Sequence, residues 1–254
     1  MAHRFFLADT LPAEPGQPLP LSSTDVHHAV RVLRVRPGER IEIVAPGGDV
    51  MSADVVSADD AGVVVSVLGP VSDASQLLPS VTLFQGVAKG EKMDDIVRAA
   101  VEVGAEAIVA VMTSRTIVRL DAAKRASRGE RWRRVAKSAA EQAKRASVPA
   151  VSEPVSLADA LKLLGVYDRV IVLWEESHDT GLAEALVGIR GEAGARVAIV
   201  VGPEGGLAAE EVDALVARGA VVASLGPTVL RVQTAAVVSL ALAIAALGGM
   251  GGIE

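Results

Sequence analysis

Apolar positions along the chain follow two different rhythms. From 40 to 69, short β-branched runs are broken by turn residues: Arg40-Ile-Glu-Ile-Val44, then Pro46-Gly-Gly-Asp49, then runs at Val50 to Val56 and Val63 to Leu68. That pattern predicts a small antiparallel β module. Ahead of it, Ser23 or Thr24 is placed to cap a short helix through Arg34, with Pro37-Gly38 turning the chain into the first strand. Gly69-Pro70 and the following Val-Ser-Asp-Ala-Ser-Gln read as a linker, putting a domain boundary between about 70 and 80. Beyond it the rhythm becomes strand, helix, strand. Strands are expected at Val81 to Val87, Ala107 to Met112, Arg169 to Trp174, Val197 to Val201 and Val221 to Ser224. Helices are expected at Glu91 to Val103, Ala122 to Ala146, Ala208 to Ala217 and in the closing apolar run from Ala235 to Leu247. Strands apolar on both faces and alternating with helices imply an α/β domain with a parallel sheet covered on both sides.

The composition narrows the class. Half of the 254 residues are hydrophobic and 22% are charged, which excludes a disordered chain. Lys plus Arg is 25 and Asp plus Glu is 31, a formal charge of −6 that excludes a uniformly basic nucleic-acid coat but not a local basic face. Cysteine is absent, so there are no disulfides and no thiolate metal sites. His3, His27, His28 and His178 show no metal-ligand spacing, and no metal is expected. Asp9 ends a short apolar stretch, Phe5 to Ala8, where a secretory signal needs about 7–15 apolar residues, and the run from Ala235 to Leu247 falls short of the ~20 that cross a bilayer. A cytoplasmic protein without membrane attachment is expected.

Three strand ends carry candidate chemistry. Ala198 to Val201 opens into Gly202-Pro-Glu-Gly-Gly206 and then an acid-rich helix start. The loop has neither a Walker sequence nor a dinucleotide fingerprint, and its acids disfavour a phosphate. An acid-capped strand-to-helix turn would read the same way; the position beyond the carboxyl end of a parallel strand favours a ligand site. Ser224-Leu-Gly-Pro-Thr-Val-Leu-Arg231 leaves a second strand, with Arg231 and Gln233 at the edge of the apolar run. Leu173-Trp-Glu-Glu176 leaves a third, where a solvated turn is the competing reading.

Charge is concentrated between Arg115 and Arg145, where eleven basic residues face three acidic ones, a local charge of +8. Such a helix attracts a polyanion and gives salt-dependent binding, although a solvated face with local ion pairs has the same composition. Arg4, Arg31, Arg34, Arg36 and Arg40 add positive charge to the β module. Six aromatic residues are too few for a base-stacking platform, and Trp132 reads as a helix-packing residue.

Together these segments resemble a known family. The Gly202-Pro-Glu-Gly-Gly206 loop, the stretch from Leu225 to Ala235, Arg131-Trp132 with Ala140 to Arg145 and Pro149, Lys92-Met-Asp-Asp95, Arg4-Phe-Phe6, and His28 to Arg34 before Pro37-Gly38 are similar to the RsmE family. Its members are bacterial 16S ribosomal RNA uridine N3-methyltransferases of the SPOUT superfamily. The resemblance spans nearly the whole chain. It implies a small PUA-like β-barrel RNA-binding domain at 1–72 and a SPOUT α/β methyltransferase domain at 78–254 with a C-terminal trefoil knot. It also implies a homodimer. S-adenosyl-L-methionine is expected in the knot, held by the three strand-end loops: Leu173, Trp174 and Glu175; Gly202, Pro203, Glu204 and Gly205; Leu225, Gly226, Pro227, Val229 and Leu230. Arg231 is the candidate catalytic cation, and Arg4, Arg31, Arg34, Arg115, Arg125, Arg131, Arg134 and Arg145 are the candidate RNA contacts on the small ribosomal subunit. Where the family usually has Glu in the Leu-Arg-x-Glu-Thr-Ala stretch, this chain has Gln233, so no general base is assigned there. The competing functions are a non-catalytic RNA-binding assembly factor and a SPOUT enzyme acting at another RNA position.

Overall fold

The computed structural model describes residues 2–7, 16, 18–71, 78–118, 120–177, 180–189 and 194–250. The chain divides into two compact units, one of residues 1–76 with 140–148 and the other of 77–139 with 149–254. Residues 140–148, which the sequence reading puts in the second domain, belong to the first of these units. Most of the expected linker lies outside the described residues. Gly69 and Pro70 do not, and they finish a strand.

In the first unit, β1 (Arg4–Phe6), β2 (Pro18–Pro20), β3 (Arg40–Val44), β4 (Val50–Asp59) and β5 (Gly62–Pro70) form one sheet in the order β1-β3-β4-β5-β2. β3, β4 and β5 pair antiparallel, as their alternation predicts; β2 adds to β5 antiparallel and β1 pairs parallel with β3. β2 is a Pro-Leu-Pro triplet with too few residues to show an alternation; prolines are tolerated on an edge strand, where β2 lies. Alternate residues turn inward to pack Phe5, Ile41, Ile43, Ala53, Val55, Val63 and Val65 together. The first helix, α1 (Ser23–His27), is capped by Ser22 rather than by Ser23 or Thr24, its hydroxyl accepting the Asp25 N–H, a device that contributes about 1 kcal/mol. It passes into a π-helical turn (His28–Leu33) that ends at Arg34 with φ of 56°.

The second unit is an all-parallel sheet. Its strands are β6 (Ser80–Gly86), β7 (Ala107–Met112), β8 (Ala150–Val151), β9 (Val155–Ser156), β10 (Arg169–Leu173), β11 (Arg196–Val201) and β12 (Val221–Ala223). They lie in the order β12-β10-β11-β6-β7-β8, with β9 also beside β7. The helices are α2 (Lys92–Val103), α3 (Ala122–Gln142), α4 (Leu157–Leu163), α5 (Leu182–Ala185), α6 (Ala209–Val216) and α7 (Val232–Ala246). β6 and β11 are buried on both faces apart from their first residues, as their unbroken apolar runs require. α7 packs on β6, β11, α2 and α5. Trp132 is 1% exposed and packs inward.

The expected helix through Ala146 stops at Gln142. Lys144 adopts φ of 57°, a left-handed turn that costs a residue with a Cβ about 1–2 kcal/mol. Within the first unit, Lys144 Nζ pairs with Glu42 Oε2 at 3.0 Å, and the Lys144 carbonyl accepts Arg4 Nη1. Arg4 itself is 6% exposed and pairs with Glu42 at 3.0 Å. These contacts offset the strained turn.

Candidate active site

The order β12-β10-β11 sets three carboxyl-terminal loops side by side. They enclose a cleft of about 370 Å³, within the size range of pockets for small ligands. Leu173, Trp174 and Glu175 reach it from β10; Gly202, Pro203 and Glu204 from β11; Leu225, Gly226, Pro227, Val229 and Leu230 from β12. Arg231, Gln233 and Lys92 complete the polar wall. Of the expected cofactor residues only Gly205 is absent from the lining, and its neighbour Gly206 takes that place.

Two glycines make the β11 loop possible. Gly206 has φ of +71°, and the Glu175 carboxylate fills the space that a Cβ there would need. A Cβ on Gly202 would lie 2.9 Å from the Gly206 carbonyl carbon, so the loop closes on itself with backbone against backbone. From below, the wholly buried Gln85 on β6 donates from Nε2 to the Gly202 carbonyl at 3.2 Å and to the Gly86 carbonyl at 2.9 Å. No short motif announces Gln85, and Lys92, although it opens the Lys92-Met-Asp-Asp95 stretch of the resemblance, is not among the expected site residues; their partners are 117 and 112 residues away.

Glu204 is committed to structure. Its Oε1 accepts Lys92 Nζ at 2.9 Å, and the Lys89 N–H points to both oxygens at 3.2 and 3.4 Å. Burial pushes its carboxyl up, but the Lys92 contact and the backbone N–H groups of Glu204 and Lys89 outweigh that and hold it below the usual range. A lowered carboxyl pKa stabilises the fold above the unfolded-state pKa, and the benefit disappears as acid carries the group through its folded pKa. Wild type should therefore melt above a Glu204→Gln variant at about pH 7 and converge with it near pH 3, as thermal denaturation at the two pH values would show.

Arg231 has a different position. It is the N-cap of α7, exposed, without an ion-pair partner among the described residues, and the positive end of a 15-residue helix lies beside it. Glu175 is likewise without a salt-bridge partner among the described residues. Trp174 Nε1 is buried with no hydrogen-bond partner. A cleft with a glycine cradle, an unpaired carboxylate and an orphaned indole N–H fits a nucleoside ligand that carries a positive charge, and the unpaired guanidinium at its edge is placed for a second, anionic group. Among the described residues no cluster of His, Asp and Glu has the makings of a metal site.

The candidate RNA contacts divide. Arg4 and Arg145 are each 6% exposed, so a structural role suits them better than contact with a large polyanion. Arg31 pairs with Asp60, and Arg131 pairs with Asp94 and reaches toward Glu91. Arg34, Arg115 and Arg134 are exposed, and Arg125 is half-buried.

Comparison with known proteins agrees with this geometry. Residues 76–244 match the model of an RNA methyltransferase domain, and 21–68 match an RNA methyltransferase PUA domain. Ribosomal RNA small subunit methyltransferase E of Mycobacterium bovis is 35% identical over 244 residues, 94% of this chain and 90% of that protein. The protein of the same name from Bacillus subtilis is 32% identical over 222 residues, 87% of each chain. The crystal structure of ribosomal RNA small subunit methyltransferase E from Neisseria gonorrhoeae bound to S-adenosyl methionine superposes with a TM-score of 0.82 at 29% identity, over 95% of this chain and 96% of that one. On these grounds the chain belongs to the RNA methyltransferase family that contains the ribosomal RNA small subunit methyltransferases E.

Proposed function

We propose that this protein transfers the methyl group of S-adenosylmethionine to N3 of a uridine in 16S ribosomal RNA of the small subunit, in the cytoplasm. The observation that carries the reading is the unpaired Arg231 at the positive end of α7, on the wall of a cleft built from three strand-end loops. When bound, S-adenosylmethionine supplies an electrophilic methyl group on a sulfonium. The protein's part is to hold, orient and polarise. The β10, β11 and β12 loops, through Leu173 to Glu175, Gly202 to Glu204 with Gly206, and Leu225 to Leu230, are the residues that would hold it, and the Glu175 carboxylate complements its positive charge. Uridine N3 carries a proton on the base-pairing edge, so the base must be unpaired to react. Arg231 and the α7 N-terminus favour the deprotonated uracil by stabilising its delocalised negative charge. Gln233 lines the cleft as a hydrogen-bonding group and takes no proton.

Two further features belong to the proposal. The C-terminal segment forms a trefoil knot, a reading supported by α7 packing on β11, one of the three strands whose loops form the cleft, and on β6 beside it. The protein works as a homodimer: α7 is apolar on every side, yet Leu242 remains 42% exposed in the single chain, and a helix of that character is normally covered all round. RNA approaches the cations of α3. Arg134 is exposed and Arg128 half-buried, neither has an ion pair among the described residues, and replacing both with Ala should reduce the slope of log affinity against log salt by about one to two units. Filter binding across about 50–200 mM salt measures this, with cofactor affinity as the control.

The test of the activity is incubation with methyl-labelled S-adenosylmethionine and unmodified small ribosomal subunits. Label in the RNA supports the proposal; cofactor binding without any label in RNA overturns it.

A further inference from the structure

The geometry points to Arg115 as a positioning residue that couples RNA binding to the cofactor loop, an inference that rests on the methyl-transfer reading of the cleft. Arg115 sits in the turn that follows β7. Thr113 and Thr116 brace that turn: the Thr113 N–H donates to Thr116 Oγ1 at 2.9 Å and the two hydroxyls lie 3.1 Å apart. The turn is joined to the start of α6 by the Ser114 N–H, which donates to Glu211 Oε1 at 2.7 Å. The other Glu211 oxygen accepts the Ala208 N–H at 2.9 Å, and Glu211 is 9% exposed. Arg115 Nη1 then donates to the Gly205 carbonyl at 3.1 Å, with Arg115 Cβ 3.2 Å from where a Gly205 side chain would begin. The β7 turn and the 202–206 loop are thereby one hydrogen-bonded unit.

Arg115 is exposed, and no carboxylate pairs with it among the described residues. A guanidinium has five N–H donors in a planar fork; the Gly205 carbonyl takes one, leaving donors arranged for bidentate contact with a phosphate. An RNA phosphate held there immobilises the side chain that positions Gly205, between residues that line the cleft. Binding free energies are reciprocal, so RNA tightens the cofactor and the cofactor tightens RNA through the same guanidinium. A lysine keeps the charge but not the fork, and a single ammonium is a poor substitute at a site that must serve carbonyl and phosphate together.

Equilibrium dialysis of labelled S-adenosylhomocysteine, with and without saturating unmodified small ribosomal subunits, tests the coupling. In the wild-type protein the subunits should tighten binding at least about fivefold, and in Arg115→Ala the ratio should fall to within about twofold of one. Arg115→Lys should regain part of the RNA affinity but not the ratio. A wild-type ratio near one, an undiminished ratio in Arg115→Lys, or an Arg115→Ala variant weakened equally in both conditions would overturn the inference. The last of these is the outcome of a merely structural role. No binding by the wild-type protein in either condition would overturn the methyl-transfer reading as well.

Discussion

A Gly202→Val variant is expected to bind S-adenosylmethionine about 10- to 100-fold more weakly than wild type, since forcing a close-packed site apart costs about 1–3 kcal/mol and each 1.4 kcal/mol is about tenfold in affinity. The new Cβ would meet the Gly206 carbonyl carbon at 2.9 Å, the Leu207 nitrogen at 3.1 Å and Gly206 Cα at 3.2 Å. All three are backbone, so no side chain can swing aside, and the loop itself must move. Gly205→Val should be milder, because a Cβ there meets the Arg115 side chain at 3.2 Å and its carbonyl oxygen at 3.4 Å. Calorimetry with the cofactor alone, on variants shown to be folded by their melting curves, measures both. Equal affinity for Gly202→Val and wild type would mean that the β11 loop does not hold the ligand.

The second large effect is expected at the other end of the cleft. Arg231→Ala should lower kcat by about 10²–10³-fold, the range seen when a preorganised electrostatic donor is removed, while cofactor affinity changes little. Arg231 has no salt bridge to lose among the described residues and caps α7 through its backbone conformation, without a side-chain hydrogen bond, so the fold should not depend on it. Because stabilising the uracil anion is its assigned role, the defect should lessen as rising pH ionises the base in solution. A pH profile of single-turnover methyl transfer gives both numbers. Wild-type kcat in the variant would remove Arg231 from the mechanism.

Much of the fold is legible in the amino-acid pattern alone. β7 begins and ends at the residues its apolar run predicts, Ala107 and Met112, because a strand buried on both faces has to be apolar throughout. The strand-end loops were visible through Gly and Pro, which mark where a chain must turn sharply or be approached closely. What stayed hidden depends on distant partners. β1, β8 and β9 are two or three residues long and exist through pairing, with too few positions to show a period. The end of α3 is set by Lys144 and a carboxylate 102 residues away, not by a local glycine. Arg4 resembled a surface cation because charge in a sequence carries no sign of burial; Glu42 and the Lys144 carbonyl make its burial possible. Lys92 and Gln85 entered the site in the same way, through contacts across the sheet.

The central claim is transfer to N3 of uridine, and the identity of the methylated nucleoside tests it most directly. Small ribosomal subunits lacking the modification would be reacted with methyl-labelled S-adenosylmethionine, and their RNA digested and resolved by chromatography. Label in 3-methyluridine is the predicted result. Label in a ribose-methylated nucleoside or in another methylated base would contradict it, and would assign the same cleft to a different RNA position.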